Sequence, residues 1–356
     1  MLRFFDLRRG EGRLAAPAMA LALLVFTAQV LAMIASDAMF VTTFDLGALS
    51  GFMVVAALAR VALTFAYTAV ARGGGARRGA VLLAGAAAVT TALGSALALG
   101  SRPAVYASCV ALLIVPVAAG DAASAAMETF STRQGKRLLP LIGAASSLGG
   151  LVAGLGARGL TPRIGTPHLL WIVGACLLAA AAVTPWVERA RSERASSVME
   201  VPARALQDFR TIPIVRTAFG LALLVAVTGA IADYLFKATL KTSFARDAMT
   251  EYVGVFEAVL SVGGVAAQLF LTARVAGRLG VRSSLLLYPV AVAASAPAFA
   301  IAPRVATATA TKLSETFLRF SVVSPLRALL VSPLETGERA RAGALLRGVA
   351  TPLGGI

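Results

Sequence analysis

Apolar runs long enough to cross a bilayer recur along almost the whole chain, beginning with the stretch from Leu14 to Phe44. A bilayer core takes about 20 residues of helix per crossing, and the backbone inside it must satisfy its own hydrogen bonds. The 356 residues are 58% apolar and 14% charged, which excludes a water-soluble core. Closing each run at Gly, Pro or basic clusters places spans at 14–44, 46–71, 79–100, 103–131 and 138–157. Further spans fall at 166–187, 213–241, 250–273, 283–302 and 304–331, and an eleventh begins near Ala342. The expected fold is an all-α polytopic membrane protein of about ten complete spans plus part of an eleventh, with the lipid bilayer as its first partner.

Thirty-three Lys and Arg face 17 Asp and Glu, a formal net charge of +16. The basic residues fall in alternate connections. One side carries Arg3, Arg8, Arg9, Arg13, Arg72, Arg77, Arg78, Arg133, Lys136, Arg137 and the basic residues of the Glu188 to Ile212 loop. It also carries Arg274, Arg278, Arg282, Arg339 and Arg341, whereas the other side has only Arg102, Arg158, Arg163, Arg246 and Arg304. The positive-inside rule then puts the N-terminus and that loop in the cytoplasm. Basic residues are not interleaved with aromatics as a base-stacking surface requires, so nucleic acid is excluded as a partner. The N-terminal apolar run is too long for a cleaved signal peptide.

Cys109, Cys176 and the single His168 stand apart in the sequence, so they assemble no metal site, and the cysteines read as core residues. Gly73, Gly74 and Gly75 lack the following Lys-Ser or Lys-Thr of a phosphate loop. With no paired nucleophile and base, no metal and no cofactor, the chain does not read as an enzyme.

An internal repeat organises the spans. Ser36-Asp37-Ala38-Met39-Phe40 matches Ala232-Asp233-Tyr234-Leu235-Phe236, and Met127-Glu128-Thr129-Phe130 matches Ser314-Glu315-Thr316-Phe317. The stretch Gly143 to Gly150 matches Gly348 to Gly355. The copies are six spans apart, so they share one orientation, as in a six-plus-six transporter with parallel halves. Residues 1–187 are the N-terminal six-helix half, 188–212 a cytoplasmic linker and 213–356 the C-terminal half. Ile356 corresponds to Leu151, while the first copy runs on to Val187; the end of span eleven and span twelve are therefore expected to follow.

Charges inside spans are costly and face protein or an aqueous path. They concentrate in spans one, four, seven and ten: Asp37; Asp121 and Glu128; Asp233 and Lys237; Lys312, Glu315, Arg319 and Arg327. Arg60 and Glu257 are the exceptions in spans two and eight. These four spans occupy equivalent places in the repeat and are expected to line a solute pathway. The same spacing allows a bland alternative, because Asp233 with Lys237 and Glu315 with Arg319 are four apart and neutralise one another on a helix face. Asp37 and Glu128 lie near span ends, where interface or packing roles also fit. Asp121 has no basic residue three or four positions away, the setting of a proton site. Gly149, Gly150 and Gly154 form a small-residue packing face on span five.

Ala232-Asp233-Tyr234-Leu235-Phe236-Lys237 resembles the Asp-Tyr-x-Phe-Lys signature of bacterial ATP/ADP translocase-like nucleotide transporters, a branch of the major facilitator superfamily. The segments Ser36 to Phe40, Lys136 to Gly143, Gln268 to Thr272, Pro325 to Leu330 and Pro352 to Gly355 are similar to that family in the matching spans. The resemblance implies a major facilitator-type bundle in a bacterial inner membrane, exchanging ATP for ADP by alternating access. A nucleoside triphosphate carries about four negative charges, which need several cationic donors. Lys237, Lys241, Lys312, Arg319, Arg60 and Arg347 are the candidates. Ser36 stands where translocating members carry a basic residue. Two other readings stay open: a proton-coupled carrier or exporter of another organic solute, with Asp121 or Glu128 as the proton site, and a non-transporting scaffold anchoring a cytoplasmic domain encoded beyond Ile356.

The topology is directly testable. A green fluorescent reporter fused after Ser192 is expected to fluoresce in cells, and the same reporter after Arg163 to stay dark; the reverse pattern would overturn the assigned orientation.

Overall fold

The computed structural model describes residues 12–71, 76–97, 101–128, 132–192, 208–267 and 272–323, then positions 326, 330–331, 334, 338, 342–343, 345–346 and 350–354. Every regular element among them is helical: α1 Gly12–Thr43, α2 Leu46–Ala71, α3 Ala76–Leu97, α4 Arg102–Ala111, α5 Ile114–Glu128 and α6 Thr132–Ile164. After a short turn of helix at Thr166–His168 come α7 Leu169–Ser192, α8 Pro213–Ser243, α9 Arg246–Ala266, α10 Thr272–Ile301 and α11 Val305–Leu318, which runs into a π-helical turn at Arg319–Val323.

Seven segments of the described residues are long and apolar enough to cross a membrane, and two shorter apolar helices lie at Gly79–Ser95 and Leu286–Ile301. The expected span at 103–131 contains one membrane-length segment, Arg102–Gly120, with the helix interrupted at Leu112 and Leu113. Pro116 has no N–H for the Leu112 carbonyl, and its ring crowds that oxygen. The chain turns there instead, and the Val115 amide donates to the Leu112 carbonyl at 3.0 Å. Two connections are also shorter than expected. Helix α6 already begins at Thr132, so Arg133, Lys136 and Arg137 are helical, and α10 begins at Thr272, ahead of Arg274, Arg278 and Arg282.

The helices group into two units by contact. The first holds α1, α3 to α7 and α9; the second holds α2 as far as residue 65, α8, α10, α11 and the described positions that follow. Helix α9 comes from the second sequence copy yet packs with helices of the first.

In the first unit α1 packs on α5, α6 and α7, burying Leu21, Ile34, Met39 and Phe40 completely. Its last turn stacks Phe40 on Phe44, with ring centroids 4.7 Å apart, and both meet Tyr106 of α4. Buried Cys109 places its sulfur 3.7 Å from the Ser36 carbonyl, and Cys176 is half-buried. The small face on α6 does what its composition implies. A side chain at Gly154 would run into the Gly254 carbonyl and Ala258 of α9, and one at Gly150 into Ser261. A polar junction fixes the start of α9. Arg246 donates through Nε and Nη2 to the Thr42 and Thr43 hydroxyls, each at 3.2 Å. The Asp247 carboxylate accepts from the Thr166 hydroxyl at 2.7 Å, and the Thr166 and Thr250 hydroxyls lie 2.8 Å apart.

In the second unit α8 buries Val215, Ala218 and Ala222 against Val331, Leu334, Leu345, Leu346 and Ala350. The sequence repeat reappears here as geometry. Gly149 sits flush against the Leu23 carbonyl and the Thr27 amide of α1, and its counterpart Gly354 sits flush against the Leu223 carbonyl and the Val227 amide of α8. Each glycine thus meets the oxygen of one residue and the nitrogen four further on.

Overpacking a closed helix contact costs about 1–3 kcal/mol. Gly154→Val is therefore expected to lower the thermal midpoint of the detergent-purified protein, whereas Gly156→Val, whose site has no atom within 4 Å, leaves it nearly unchanged.

Candidate functional site

Helical periodicity puts Asp233 and Lys237 one turn apart on α8, about 30 Å along a helix that begins at Pro213. Steps of three and four put Lys312, Glu315 and Arg319 on one face of α11 and its π-helical extension. The two faces meet as a ladder of charge. Asp233 Oδ2 lies 2.7 Å from Lys237 Nζ, and Oδ1 lies 2.9 Å from Lys312 Nζ on the other helix. Lys312 Nζ is 3.9 Å from Glu315 Oε2, close enough for charge but too far for a hydrogen bond, and Arg319 Nη1 is 3.4 Å from Glu315 Oε1.

The two carboxylates have different surroundings. Glu315 is fully buried. It accepts from the Tyr288 hydroxyl of α10 at 3.1 Å and from the Thr316 hydroxyl at 2.9 Å. The side chain of Asp233 remains 26% exposed, and its ion-pair partners are the two lysines. Among the described residues the ladder joins three cations, Lys237, Lys312 and Arg319, to two carboxylates, Asp233 and Glu315.

Gly229, one turn before Asp233, makes this approach possible. A Cβ there would lie 2.7 Å from Arg319 Nη1 and 3.0 Å from Glu315 Oε1. Arg319 lies with its guanidinium carbon 5.0 Å from the Phe320 ring, and its Nε is buried without a hydrogen bond. The π-helical turn begins at this arginine. Such turns insert an extra residue per repeat and re-aim side chains, often at functional sites.

The structure thus brings together Asp233, Lys237, Lys312, Glu315 and Arg319. The sequence reading of self-neutralising pairs holds for Asp233 with Lys237 and Glu315 with Arg319, but it misses the cross-helix Lys312 to Asp233 pair. Asp37 is half-buried on α1 in the first unit, and Arg60 is exposed on α2 in the second. Asp121 and Glu128 lie on α5, and their side chains are outside the described residues, as are Arg327 and Arg347. Lys241 follows one turn after Lys237 and is half-buried. Tyr288, Thr316 and Gly229 were not singled out from sequence. A tyrosine in an apolar helix needs a partner for its hydroxyl, which is a readable signal; Gly229 carries none. No group of acidic, His or Cys side chains among the described residues could hold a metal.

Removing one member of a buried pair leaves its partner uncompensated, at about 3–5 kcal/mol. Glu315→Ala leaves Arg319 without its carboxylate and is expected to cost that much stability; Asp233→Ala, at the more exposed carboxylate, should cost clearly less. Thermal unfolding in detergent checks the order.

No protein-family profile matches the chain, and no curated protein matches it in sequence. Its fold is found among solved structures. A variant of the nucleoside transporter NupG is 15% identical, with a TM-score of 0.69 over 96% of this chain and 89% of that one. The D-xylose-proton symporter is 14% identical, with a TM-score of 0.59 over 96% and 87%. A variant of the E. coli fucose:proton symporter FucP is 15% identical, with a TM-score of 0.60 over 95% and 88%. At this identity the likeness is one of fold: the chain is an all-helical bundle with membrane-length helices, folded as these transporters are.

Proposed function

We propose that the chain is a secondary-active carrier of an anionic solute, working by alternating access of the halves 1–187 and 213–356 joined by the 188–212 linker. The specific reaction we assign is exchange of ATP for ADP across the bacterial inner membrane, with the N-terminus in the cytoplasm. The observation that carries the reading is the ladder of Lys237, Asp233, Lys312, Glu315 and Arg319 between two helices of such a bundle. Buried charge in a membrane is costly, and an apolar pair would pack as well, so its presence points to a charged solute.

The fold shared with a nucleoside transporter supports the reading, and so does the Asp-Tyr-x-Phe-Lys resemblance at Asp233 to Lys237. Lys237 and Lys312 are the phosphate ligands, with Arg319 as a fixed positive group. Asp37, Arg60, Asp121 and Glu128 belong to the same pathway in this reading.

Purified protein in liposomes loaded with ADP is expected to take up labelled ATP, and Lys312→Ala to lower the initial rate at least about tenfold, the cost of one charge-assisted contact. Uptake no greater than in empty vesicles would sink the nucleotide assignment.

A second reading, a proton-coupled carrier, rests on Tyr288. Its hydroxyl lies 3.1 Å from Glu315 Oε1 and 3.3 Å from the Val225 carbonyl. Its single proton serves the carboxylate when Glu315 is ionised and the carbonyl when Glu315 carries a proton of its own, so both states are satisfied. Asp121 and Glu128 are further candidates for that role. In this case an imposed proton gradient would drive uptake in the wild type and not in Glu315→Gln.

A further inference from the structure

We infer that Asp233 is an internal stand-in for the substrate anion, holding Lys237 and Lys312 together while the site is empty and competing with the substrate for them. This rests on the anion-carrier reading above. The two carboxylates of the ladder are not equivalent. Glu315 is fully enclosed and held by the Tyr288 and Thr316 hydroxyls and by Arg319; nothing can replace it without unpacking three helices. Asp233 is held by two ammonium groups, at 2.7 and 2.9 Å, and is the more exposed of the two carboxylates.

The lysines themselves are nearly enclosed, at 14% and 10% exposure, while Asp233 is the most open of the three at 26%, so displacing its carboxylate opens a way to both. A carboxylate bridging two ammonium groups has the footprint of two oxygens of a phosphate group. The ligand class that fits is therefore a phosphate or phosphate ester, which brings more charge than the carboxylate it displaces. The freed Asp233 then turns towards the water from which the ligand came. On release it retakes both lysines and leaves no uncompensated cations behind.

A state in which Asp233 occupies the lysines cannot bind the ligand, and apparent affinity falls by the fraction of protein in that state. Removing the carboxylate removes the competitor. Asp233→Asn, which keeps the size and one acceptor, is therefore expected to bind labelled ATP about tenfold more tightly than the wild type, and inorganic phosphate more tightly as well. Its ADP-for-ATP exchange in liposomes should nevertheless be slower, because product release has lost its displacing group. A merely structural aspartate would give the opposite sign.

The measurement is equilibrium dialysis of detergent-purified full-length chain with labelled ATP and, separately, labelled phosphate, on wild type, Asp233→Asn, Asp233→Ser and Lys312→Ala. Asp233→Ser guards against a folding defect peculiar to asparagine. Tighter binding in the Asp233 variants and loss in Lys312→Ala supports the proposal. Wild-type binding with equal or weaker binding in both Asp233 variants overturns it and leaves the anion-carrier reading standing. No binding of either ligand by any of the proteins overturns both.

Discussion

Charge carried into hydrocarbon must be accompanied by its counter-charge, and the arrangement of α8, α10 and α11 follows from that requirement. The acids and bases are placed three and four residues apart, so each helix presents its charges as a strip. The strips then have to meet, because Lys312 is satisfied chiefly by Asp233 on the other helix, at 2.9 Å. Meeting demands a close approach, which Gly229 permits by having no side chain against Arg319 and Glu315. It also demands that Glu315, with no access to water, be supplied with donors from its own surroundings, which Tyr288 and Thr316 provide. The packing of Val225, Tyr288 and Val323 is the apolar surround of this cluster.

Much of this is legible in the sequence. Apolar runs of adequate length announce helices in a membrane, and strips of charge at helical spacing announce a shared face. What stayed hidden has physical reasons. Hydropathy marks the membrane and not the helix, so the starts of α6 and α10 lie ahead of the apolar runs, inside basic stretches whose Arg and Lys are good helix formers. The break before Pro116 was written in the sequence, but the run on either side is uniformly apolar and masked it. Spacing along one helix also says nothing about which neighbour it will touch. The pairing of Asp233 with Lys312, 79 positions apart, and the capture of Glu315 by Tyr288 therefore needed the fold.

The two sequence copies have been put to different uses. Gly149 and Gly354 keep the same manner of contact with α1 and α8, so the packing scheme is common to both. The chemistry is not. One turn after Asp233 stands Lys237, whereas one turn after Asp37 stands Val41, which is buried. The first-copy position matching Lys312 is Ala125, by the register that pairs Glu128 with Glu315. By this register neither lysine of the ladder has a basic counterpart in the first copy, so the two copies share a packing scheme without sharing these two cations.

The contact between α6 and α9 is built from Gly154, Gly254, Ala157 and Ala258. None of these has a side chain long enough to interlock with the opposite helix, so the two surfaces meet smoothly there. At one end the helical turn that follows α6 is tied to the start of α9, where Thr166, Asp247 and Thr250 share hydrogen bonds. Two helices that meet through small residues and are tied at one end have the build that shear between packed helices calls for.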